Sequence, residues 1–250
     1  MIGAPEDLIP YNLKAKYIYG HHAIEEALNS GTSVEKIFIQ KDLKSDLYPL
    51  ANDHGVPVSK VPRVWFKKFA NSNHQGHIAL VSPIEFVDAE EEVNMLFSSG
   101  KNPLILALDG VSDVRNFGAI LRSAEAFGVD LVLIPAKGSA AINADTVKTS
   151  AGSIFNIKVA RAASLRNTLK ALKMSGLQIT SASEKADKSH HDIDWTLPSV
   201  LVMGSEEKGV SDEVLKLGDA CAIQMLGKTS SLNVSVATGV ILSQILHKRA

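Results

Sequence analysis

Residues 230–239 read SSLNVSVATG and open the last helical pattern of the chain, which extends to Arg249. Apolar residues cover most of the surface of this helix, which predicts that it is buried inside a domain or at a subunit contact. Its first turns also carry several hydroxyl and amide side chains. A single serine, Ser230 or Ser231, would suffice to cap the helix. The additional polar groups favour a functional site at this end of the helix.

A second stretch, residues 104–128, predicts a buried strand followed by a helix. The apolar run LILAL is bounded by Asp-Gly, which is typical of a strand that ends in a turn. Asn116 is a candidate N-cap for the helix. Arg122 departs from the apolar pattern, and its side chain should lean back over Gly118 and Ala119. These small residues leave room for a ligand or a backbone beside the guanidinium, although a solvated surface arginine is the alternative.

A third stretch, residues 200–214, predicts another buried strand, a loop with two glycines and a helix that begins near Ser211. Gly204 and Gly209 allow a positive φ or a close approach of backbone to a ligand. Glu206 lies just beyond the carboxyl end of the strand, where open α/β sheets place their ligands. The pattern Gly-x-Glu-x-x-Gly is weak by itself, and an ordinary solvent-facing turn is an equal interpretation.

Composition indicates a soluble globular protein. The 250 residues are 45% hydrophobic and 21% charged, which is ordinary for one or two domains with an ample core. The single cysteine, Cys221, excludes an intramolecular disulfide framework, and its apolar neighbours predict a buried thiol. The stretch Met1–Asp7 lacks the basic and apolar regions of a secretory signal. Because no apolar run approaches the ~20 residues of a membrane span, the sequence predicts a cytoplasmic protein without a membrane contact.

The chain is predicted to have a small α/β domain at residues 17–82, a linker at 83–102 and a larger domain at 103–250. In the larger domain, strand patterns alternate with helical ones, which predicts a largely parallel sheet covered on both faces. The predicted strands are residues 104–108, 131–134, 154–159, 177–181, 200–203 and 220–223. The acidic run at 88–92 is expected to be the solvated start of a helix.

Taken in order, the three stretches resemble the three motifs of the SpoU (TrmH) family of RNA ribose 2'-O-methyltransferases. The motifs are Asp109-Gly110-Val111 through Asn116 to Arg122, then Met203-Gly204-Ser205-Glu206 to Gly209, then Ile223 through Ser231-Leu232-Asn233. Upstream, YGHHAI at residues 19–24 and HQGHIA at 74–79 are similar to the amino-terminal domain of the bacterial 23S rRNA guanosine-2'-O-methyltransferases of this family. The resemblance covers residues 17–249.

The resemblance implies a carboxyl-terminal parallel-sheet (SPOUT) methyltransferase domain with a deep trefoil knot, preceded by a smaller, ribosomal-protein-like α/β domain that binds RNA. It also implies a homodimer that packs through the knotted regions. The cofactor would be S-adenosylmethionine, held mainly by backbone groups of loops, and no metal is expected. By position, the cofactor pocket would be lined by Gly204, Ile223 and Leu232, with Met203, Ser205, Gly209, Met225 and Ser183 as further candidates.

The implied reaction is attack of a ribose 2'-hydroxyl on the sulfonium methyl group, in a guanosine of 23S rRNA or alternatively in tRNA. The resemblance assigns activation of the hydroxyl to Arg122. The hydroxyl and the rest of the substrate would be positioned by four polar residues: Asn116, Glu206, Ser231 and Asn233. A free guanidinium stays protonated well above neutral pH. A second version therefore has Arg122 bind the target phosphate and stabilise the developing alkoxide.

Three features of the sequence depart from the family or from expectation. Gln224 replaces the common proline between Ile223 and Met225, and Val114-Arg115 replaces the usual Pro-His or Pro-Gly, which puts the RNA target in doubt. A net charge of −1 is not the basic footprint of many nucleic-acid binders. A local patch could still bind RNA, since cations alternate with aromatic residues at positions 63–69. The alternative for that patch is an amphipathic element with its apolar face buried.

Three other functions remain as alternatives. A catalytically idle RNA-binding protein could use the amino-terminal domain alone. A hydrolase could pair Ser231 with a histidine (His190, His191 or His247), although Ser231 lacks the Gly-x-Ser-x-Gly context. A metal site could be formed by the histidines of the amino-terminal domain (His21, His22, His74 and His77), but no nearby ligand completes a zinc set there.

Overall fold

The computed structural model describes residues 16–250, which form two compact units. The smaller unit comprises the described residues up to Glu85 together with Ile142–Lys148, and the larger comprises Phe86–Ala141 together with Thr149–Ala250. The stretch Met1–Asp7, which was expected not to be a secretory signal, lies outside the described residues.

The smaller unit is built on a four-stranded sheet. Its elements are β1 (Tyr17–Tyr19), α1 (His21–Asn29), β2 (Val34–Gln40), α2 (Leu47–Asp53), β3 (Val58–Val61), a 3₁₀ helix (Arg63–Phe69) and β4 (His77–Val81). The strand order is β1-β4-β2-β3, with β4 antiparallel to both of its neighbours and β3 parallel to β2. The apolar faces of α1 and α2 cover one side of this sheet and form the core of the unit.

The larger unit alternates strands with helices, as the sequence predicts. Its elements are β5 (Phe86–Val87), α3 (Ala89–Ser98), β6 (Leu104–Asp109), α4 (Val114–Ala126), β7 (Leu131–Pro135), α5 (Ala144–Thr149, shared with the smaller unit), β8 (Lys158–Ala162), α6 (Leu165–Met174), β9 (Gln178–Ala182), β10 (Ser199–Gly204), α7 (Asp212–Leu215), β11 (Asp219–Cys221) and α8 (Val234–Arg249).

All seven strands of the larger sheet are parallel, in the order β11-β9-β10-β6-β7-β8-β5. The prediction of a parallel sheet is therefore confirmed. The chain runs from β6 outward to β8 and then returns to the other side of β6, so the strand order reverses between β6 and β10. Ligands of open α/β sheets bind beyond the carboxyl ends of the strands at such a reversal.

Three details of the predicted elements differ in the structure. The predicted strand at 154–159 is wrong in its first half, because Gly152, at φ 85°, introduces a 3₁₀ turn at Ser153–Phe155. The strand begins only at Lys158. The segment 83–102 contains the expected helix, α3, and also a strand that was not predicted, β5, which pairs with β8. The acidic run is not wholly solvated, because Glu92 is buried and accepts two hydrogen bonds from Lys158 Nζ, at 2.7 and 2.8 Å.

Cys221 ends β11 and is fully buried, so the prediction of a buried thiol is confirmed. Burial raises the pKa of this thiol to about 12, which keeps it protonated and unreactive. Among residues 16–250, none of the helices combines the length and the apolar character that a membrane crossing requires.

Candidate functional site

A cavity of about 940 Å³ lies at the carboxyl ends of β9, β10 and β11. Its walls are the loops that follow these three strands, together with the start of α8. The cavity therefore begins at β10, next to the point where the strand order reverses, and extends towards the edge strand β11. All of the residues predicted to bind the cofactor line it: Ser183, Met203, Gly204, Ser205, Gly209, Ile223, Met225 and Leu232.

The loop after β10 is closed tightly by its two glycines. Ser205 and Gly209 exchange backbone hydrogen bonds of 3.2 and 2.9 Å. Gly209 has φ +67°, a conformation that favours glycine. Gly204 allows a close approach of backbone, since a Cβ there would lie 2.0 Å from the carbonyl carbon of Gly209 and 2.2 Å from the nitrogen of Val210. The loop can fold back over the strand end only because residue 204 has no side chain.

Three side chains from three distant segments meet beside this cavity. The amide nitrogen of Asn233 donates to Asn116 Oδ1 at 3.0 Å and to Glu206 Oε1 at 2.5 Å. Asn116 comes from α4, Glu206 from the loop after β10, and Asn233 from the residue before α8. The structure thus joins one polar residue from each of the three sequence motifs. We call these three residues the amide–carboxylate cluster.

Asn233 also caps α8, which fixes the orientation of its amide. Its Oδ1 accepts from the backbone nitrogen of Ser235 at 3.0 Å, from the Ser235 hydroxyl at 2.6 Å and from the nitrogen of Val236 at 3.4 Å. With the oxygen turned to the helix, the NH₂ group must face Glu206. The Glu206 carboxylate consequently lies beside the amino-terminal end of α8.

Asn116 is not the N-cap that the sequence suggested. Asp113 caps α4 instead, because its carboxylate accepts from the backbone nitrogens of Arg115 and Asn116, both at 2.9 Å. These hydrogen bonds lower the pKa of Asp113 below its ordinary value, and the bond from the Asn116 nitrogen has the larger effect. The side chain of Asn116 is therefore free to join the amide–carboxylate cluster. The sequence did not single out Asp113 as the cap, because Asp and Asn are equally good capping residues and Asn116 lies only three positions further on.

Asp109 is a second residue whose role the sequence did not reveal. It ends β6, beside Gly204 at the end of β10, and its Oδ2 accepts from the backbone nitrogen of Ser211 at 2.8 Å. This bond ties the end of the glycine loop to the first motif. Only the pairing of β6 with β10 brings these residues together, and nothing in the local sequence shows that pairing.

Arg122 and Ser231 lie on exposed surface. Ser231 is part of the cavity wall. Arg122 projects from α4, about two turns beyond Asn116. Within the described part of the chain it is neither among the cavity-lining residues nor in the amide–carboxylate cluster. Gly118 does not leave room for a ligand, since Thr149 fills that space and a Cβ there would lie 2.7 Å from the Thr149 carbonyl carbon.

Two family models match the chain. The model described as SpoU rRNA Methylase family matches residues 103–243, and the model described as RNA 2'-O ribose methyltransferase substrate binding matches residues 17–87. The chain belongs to the SpoU rRNA methylase family. The resemblance seen in the three motifs is thereby confirmed.

Individual members of the SpoU family are similar over most of the chain. A Pseudomonas aeruginosa protein named 23S rRNA (guanosine-2'-O-)-methyltransferase RlmB is 37% identical over 238 residues, which are 93% of this chain and 96% of that protein. The A. aeolicus TrmH/SpoU tRNA modifying enzyme is 34% identical, with a TM-score of 0.54, over 60% of this chain and 76% of that one.

The fold is shared with a more distant SpoU methyltransferase, AviRb from Streptomyces viridochromogenes, whose crystal structure is a complex with the cofactor AdoMet. That chain is 22% identical, and the match covers 93% of this chain and 90% of that one with a TM-score of 0.59. At this identity the likeness establishes the SpoU fold alone.

The cavity suits S-adenosylmethionine in size and in chemistry. Its volume is at the upper end of the ~300–1,000 Å³ range of small-molecule sites. Backbone groups of three loops and the aliphatic side chains of Ile223, Met225 and Leu232 could hold an adenosine, and Glu206 and Asp192 offer carboxylates for a cationic ligand. The residues present therefore fit the cofactor that the SpoU family uses.

The alternative sites receive no comparable support. His190 is buried, and desolvation lowers its pKa below the ordinary value. Its Nδ1 lies 3.3 Å from the Ala222 carbonyl oxygen, and among the described residues no hydrogen bond joins it to Ser231. In the smaller unit, ligand atoms of His21, His22 and Glu25 lie within 4.8 Å of one another, so the expectation that no nearby carboxylate joins these histidines is wrong. His74 and His77 are not part of this group, and His77 Nε2 lies 3.1 Å from the hydroxyl of Ser45.

Proposed function

We propose that this chain transfers the methyl group of S-adenosylmethionine to the ribose 2'-hydroxyl of a guanosine in 23S rRNA. As a SpoU family member it is an RNA ribose 2'-O-methyltransferase. The observation that carries the proposal is the amide–carboxylate cluster beside a cavity that fits the cofactor. The guanosine and the 23S rRNA are the finer part, supported by the 37% identity to the RlmB protein.

In the reaction, the ribose 2'-oxygen would form a bond to the methyl carbon as the bond from that carbon to sulfur breaks, and the hydroxyl proton would pass to water. The bound cofactor supplies an electrophilic methyl group, and the thioether left behind is neutral, so no metal is needed. The protein must align the 2'-hydroxyl with the methyl group and allow the hydroxyl to lose its proton. Alignment alone can lower the reaction barrier by several kcal/mol. The loop from Gly204 to Gly209 is built to hold the cofactor through backbone groups.

We assign positioning of the ribose to the amide–carboxylate cluster and to Ser231. Glu206 has one oxygen bound to Asn233, and its other oxygen can accept a hydrogen bond from a ribose hydroxyl. The exposed guanidinium of Arg122 is assigned to the target phosphate and to the alkoxide that develops as the proton leaves.

We further propose that the protein is a cytoplasmic homodimer with a knotted larger domain. Val236, Val240 and Leu246 expose 52%, 38% and 47% of their surface on α8, so the described residues leave one side of this apolar helix uncovered. The knot is supported by hydrogen bonds that seat the strand β11 against the loop after β9, from Ser183 nitrogen to Cys221 oxygen and from Ala222 nitrogen to Lys188 oxygen. The domain at residues 17–82 would select the RNA.

The test is transfer of tritiated methyl from S-adenosylmethionine to unmodified 23S rRNA and, separately, to unmodified tRNA. Label should enter 23S rRNA and survive alkali as a 2'-O-methyl dinucleotide. Arg122→Lys should lose at least about tenfold in kcat/KM with unchanged cofactor affinity, because lysine lacks the bidentate fork. Arg166→Lys, at an exposed position on α6, is the matched control.

Three outcomes would contradict parts of the proposal. Label in tRNA alone would replace the substrate. Full activity of Arg122→Lys would remove any role that requires the fork. Cofactor binding without label in either RNA would leave the chain as an idle RNA-binding relative.

A further inference from the structure

The two faces of the small sheet differ in chemistry. One face carries Ile37, Ile39 and Ala79 and is buried against α1 and α2. On the opposite face, Tyr19 of β1 and Phe38 of β2 flank Ile78 of β4 in one register row. In the next row, Tyr17 and Lys36 flank Leu80. Aromatic side chains of β1 and β2 therefore lie on either side of β4, on the face of the sheet away from the core.

The 3₁₀ helix Arg63–Phe69 extends this set of aromatic side chains. Phe66 is its buried anchor, with 2% of its surface exposed. Trp65 stacks on Phe38 with ring centroids 4.5 Å apart and an interplanar angle of 28°. Phe69 packs edge-on against Tyr17 at 4.9 Å. Phe66 alone attaches the helix by burial, whereas the other rings remain half-exposed.

Cations border the rings. Lys68 Nζ lies 3.9 Å from the ring centroid of Trp65, and Lys36 Nζ lies 5.7 Å from the ring centroid of Phe38. Arg63 and Lys67 are exposed on the same 3₁₀ helix. Aromatic rings that alternate with cations are the recurrent surface for single-stranded nucleic acid, in which bases stack on rings while phosphates meet ammonium and guanidinium groups.

We propose that this aromatic face, formed by Tyr17, Tyr19, Phe38, Trp65 and Phe69 with their cations, binds unpaired nucleotides of the RNA substrate. The proposal rests on the function proposed above and adds which form of RNA the small unit selects. The ammonium of Lys68 occupies the face of Trp65 in the free protein. A base can replace it, because stacking on an indole is stronger than an exposed cation–π contact. The flexible lysine stem then lets the ammonium reach a phosphate.

The chain offers a direct optical test, because it has two tryptophans and the other one, Trp195, is fully buried in the larger unit. A 12-nucleotide oligouridylate should quench the emission of the native protein in a saturable manner. A duplex of the same length should quench it far less, since paired bases are already stacked. In Trp65→Phe, which keeps an aromatic ring, binding should persist without the quench.

Affinity for the same oligonucleotide provides the second test. Trp65→Ala should weaken binding by about 5- to 100-fold, the effect of losing one stacked base. Lys68→Glu, an exposed substitution that should leave the fold intact, should weaken binding and flatten its salt dependence. Lys170→Glu makes the same charge change at an exposed position on α6 and should bind as the native chain does.

Methyl transfer to 23S rRNA is measured in parallel, so that the two proposals fail separately. If the native protein transfers methyl but Lys68→Glu and Trp65→Ala bind oligouridylate within twofold of native, the aromatic face is not the RNA surface. Equal quenching by the duplex would overturn the selection of unpaired nucleotides. If Trp65→Ala loses its circular dichroism spectrum, Lys68→Glu decides the question alone.

Discussion

Asn233→Asp is the substitution that separates the two roles of Asn233. Aspartate caps a helix as well as asparagine does, so the bonds to the backbone nitrogens of Ser235 and Val236 should survive. The other end of the side chain changes from a donor to an acceptor. It then faces Glu206 Oε1, which accepts at 2.5 Å in the native chain, and Asn116 Oδ1, which accepts at 3.0 Å.

The expected magnitude follows from the lost bond and from the new repulsion. Two unit charges about 4 Å apart repel by about 4 kcal/mol near a protein surface and by about 1 kcal/mol in water. The pair is exposed, so screening favours the lower part of this range. Loss of a hydrogen bond to a charged group adds about 1.5–3 kcal/mol. A combined cost of about 2.5–5 kcal/mol corresponds to a loss of about 70- to 5,000-fold in kcat/KM.

The assay is methyl transfer to 23S rRNA as a function of pH, with thermal unfolding of each variant. Asn233→Asp should keep the helix cap and lose stability only through its contacts with Glu206 and Asn116, whereas Asn233→Ala should also lose the cap, which costs about 1 kcal/mol of stability. Part of the activity of Asn233→Asp should return at acidic pH, because one protonated carboxyl can donate to the other. Asn94→Asp adds the same charge on α3 as a control. Activity of Asn233→Asp within threefold of native at neutral pH would refute the reasoning.

Three further predictions concern stability. Gly204→Ala should destabilise the chain by about 1–3 kcal/mol and abolish cofactor binding, because its Cβ would meet backbone at 2.0 Å, whereas Gly227→Ala, with open space around it, should unfold like the native chain. Arg249→Ala should lower the free energy of unfolding in urea by about 2–4 kcal/mol, because the guanidinium donates to four backbone carbonyls. An unchanged urea midpoint would show that these hydrogen bonds contribute nothing to stability. Burial keeps His190 neutral with a pKa below 6.5. The contribution of neutral His190 to the free energy of unfolding should be complete above pH 6.5, and it should be lost as the pH falls through the pKa of the folded state. His190→Gln should weaken this pH dependence of stability.

The sequence was sufficient for the layout of the larger unit and for its cavity. Strand runs such as LILAL at 104–108 are apolar throughout because both faces of a parallel sheet are covered, and this pattern depends on local sequence alone. Most of the residues expected at the cofactor pocket line the cavity because they lie at or just after the carboxyl end of a strand, whereas Leu232 reaches it from the segment before α8. Parallel strand ends meet at one edge whatever the order of the strands.

Side-chain partnerships were less accessible to sequence reasoning. Asp113 and Asn116 are both good capping residues, and local preference could not decide which one caps α4 and which one faces the cavity. The 3₁₀ turn at Ser153–Phe155 lies in an apolar run that reads equally well as strand. Glu92 looked solvated because its ion-pair partner, Lys158, is 66 residues away.

Asn233 also explains why an amide, rather than a serine or an aspartate, suits this position at the helix start. Serine could cap α8, but its single hydroxyl could not also reach Asn116 and Glu206. Aspartate could cap, but it would repel the carboxylate. Only a side chain with an acceptor at one end and two donors at the other can satisfy the helix and hold both partners at once. The position of Glu206 is therefore coupled to the formation of α8, and any change that frays the start of this helix should also release the carboxylate from the cavity rim.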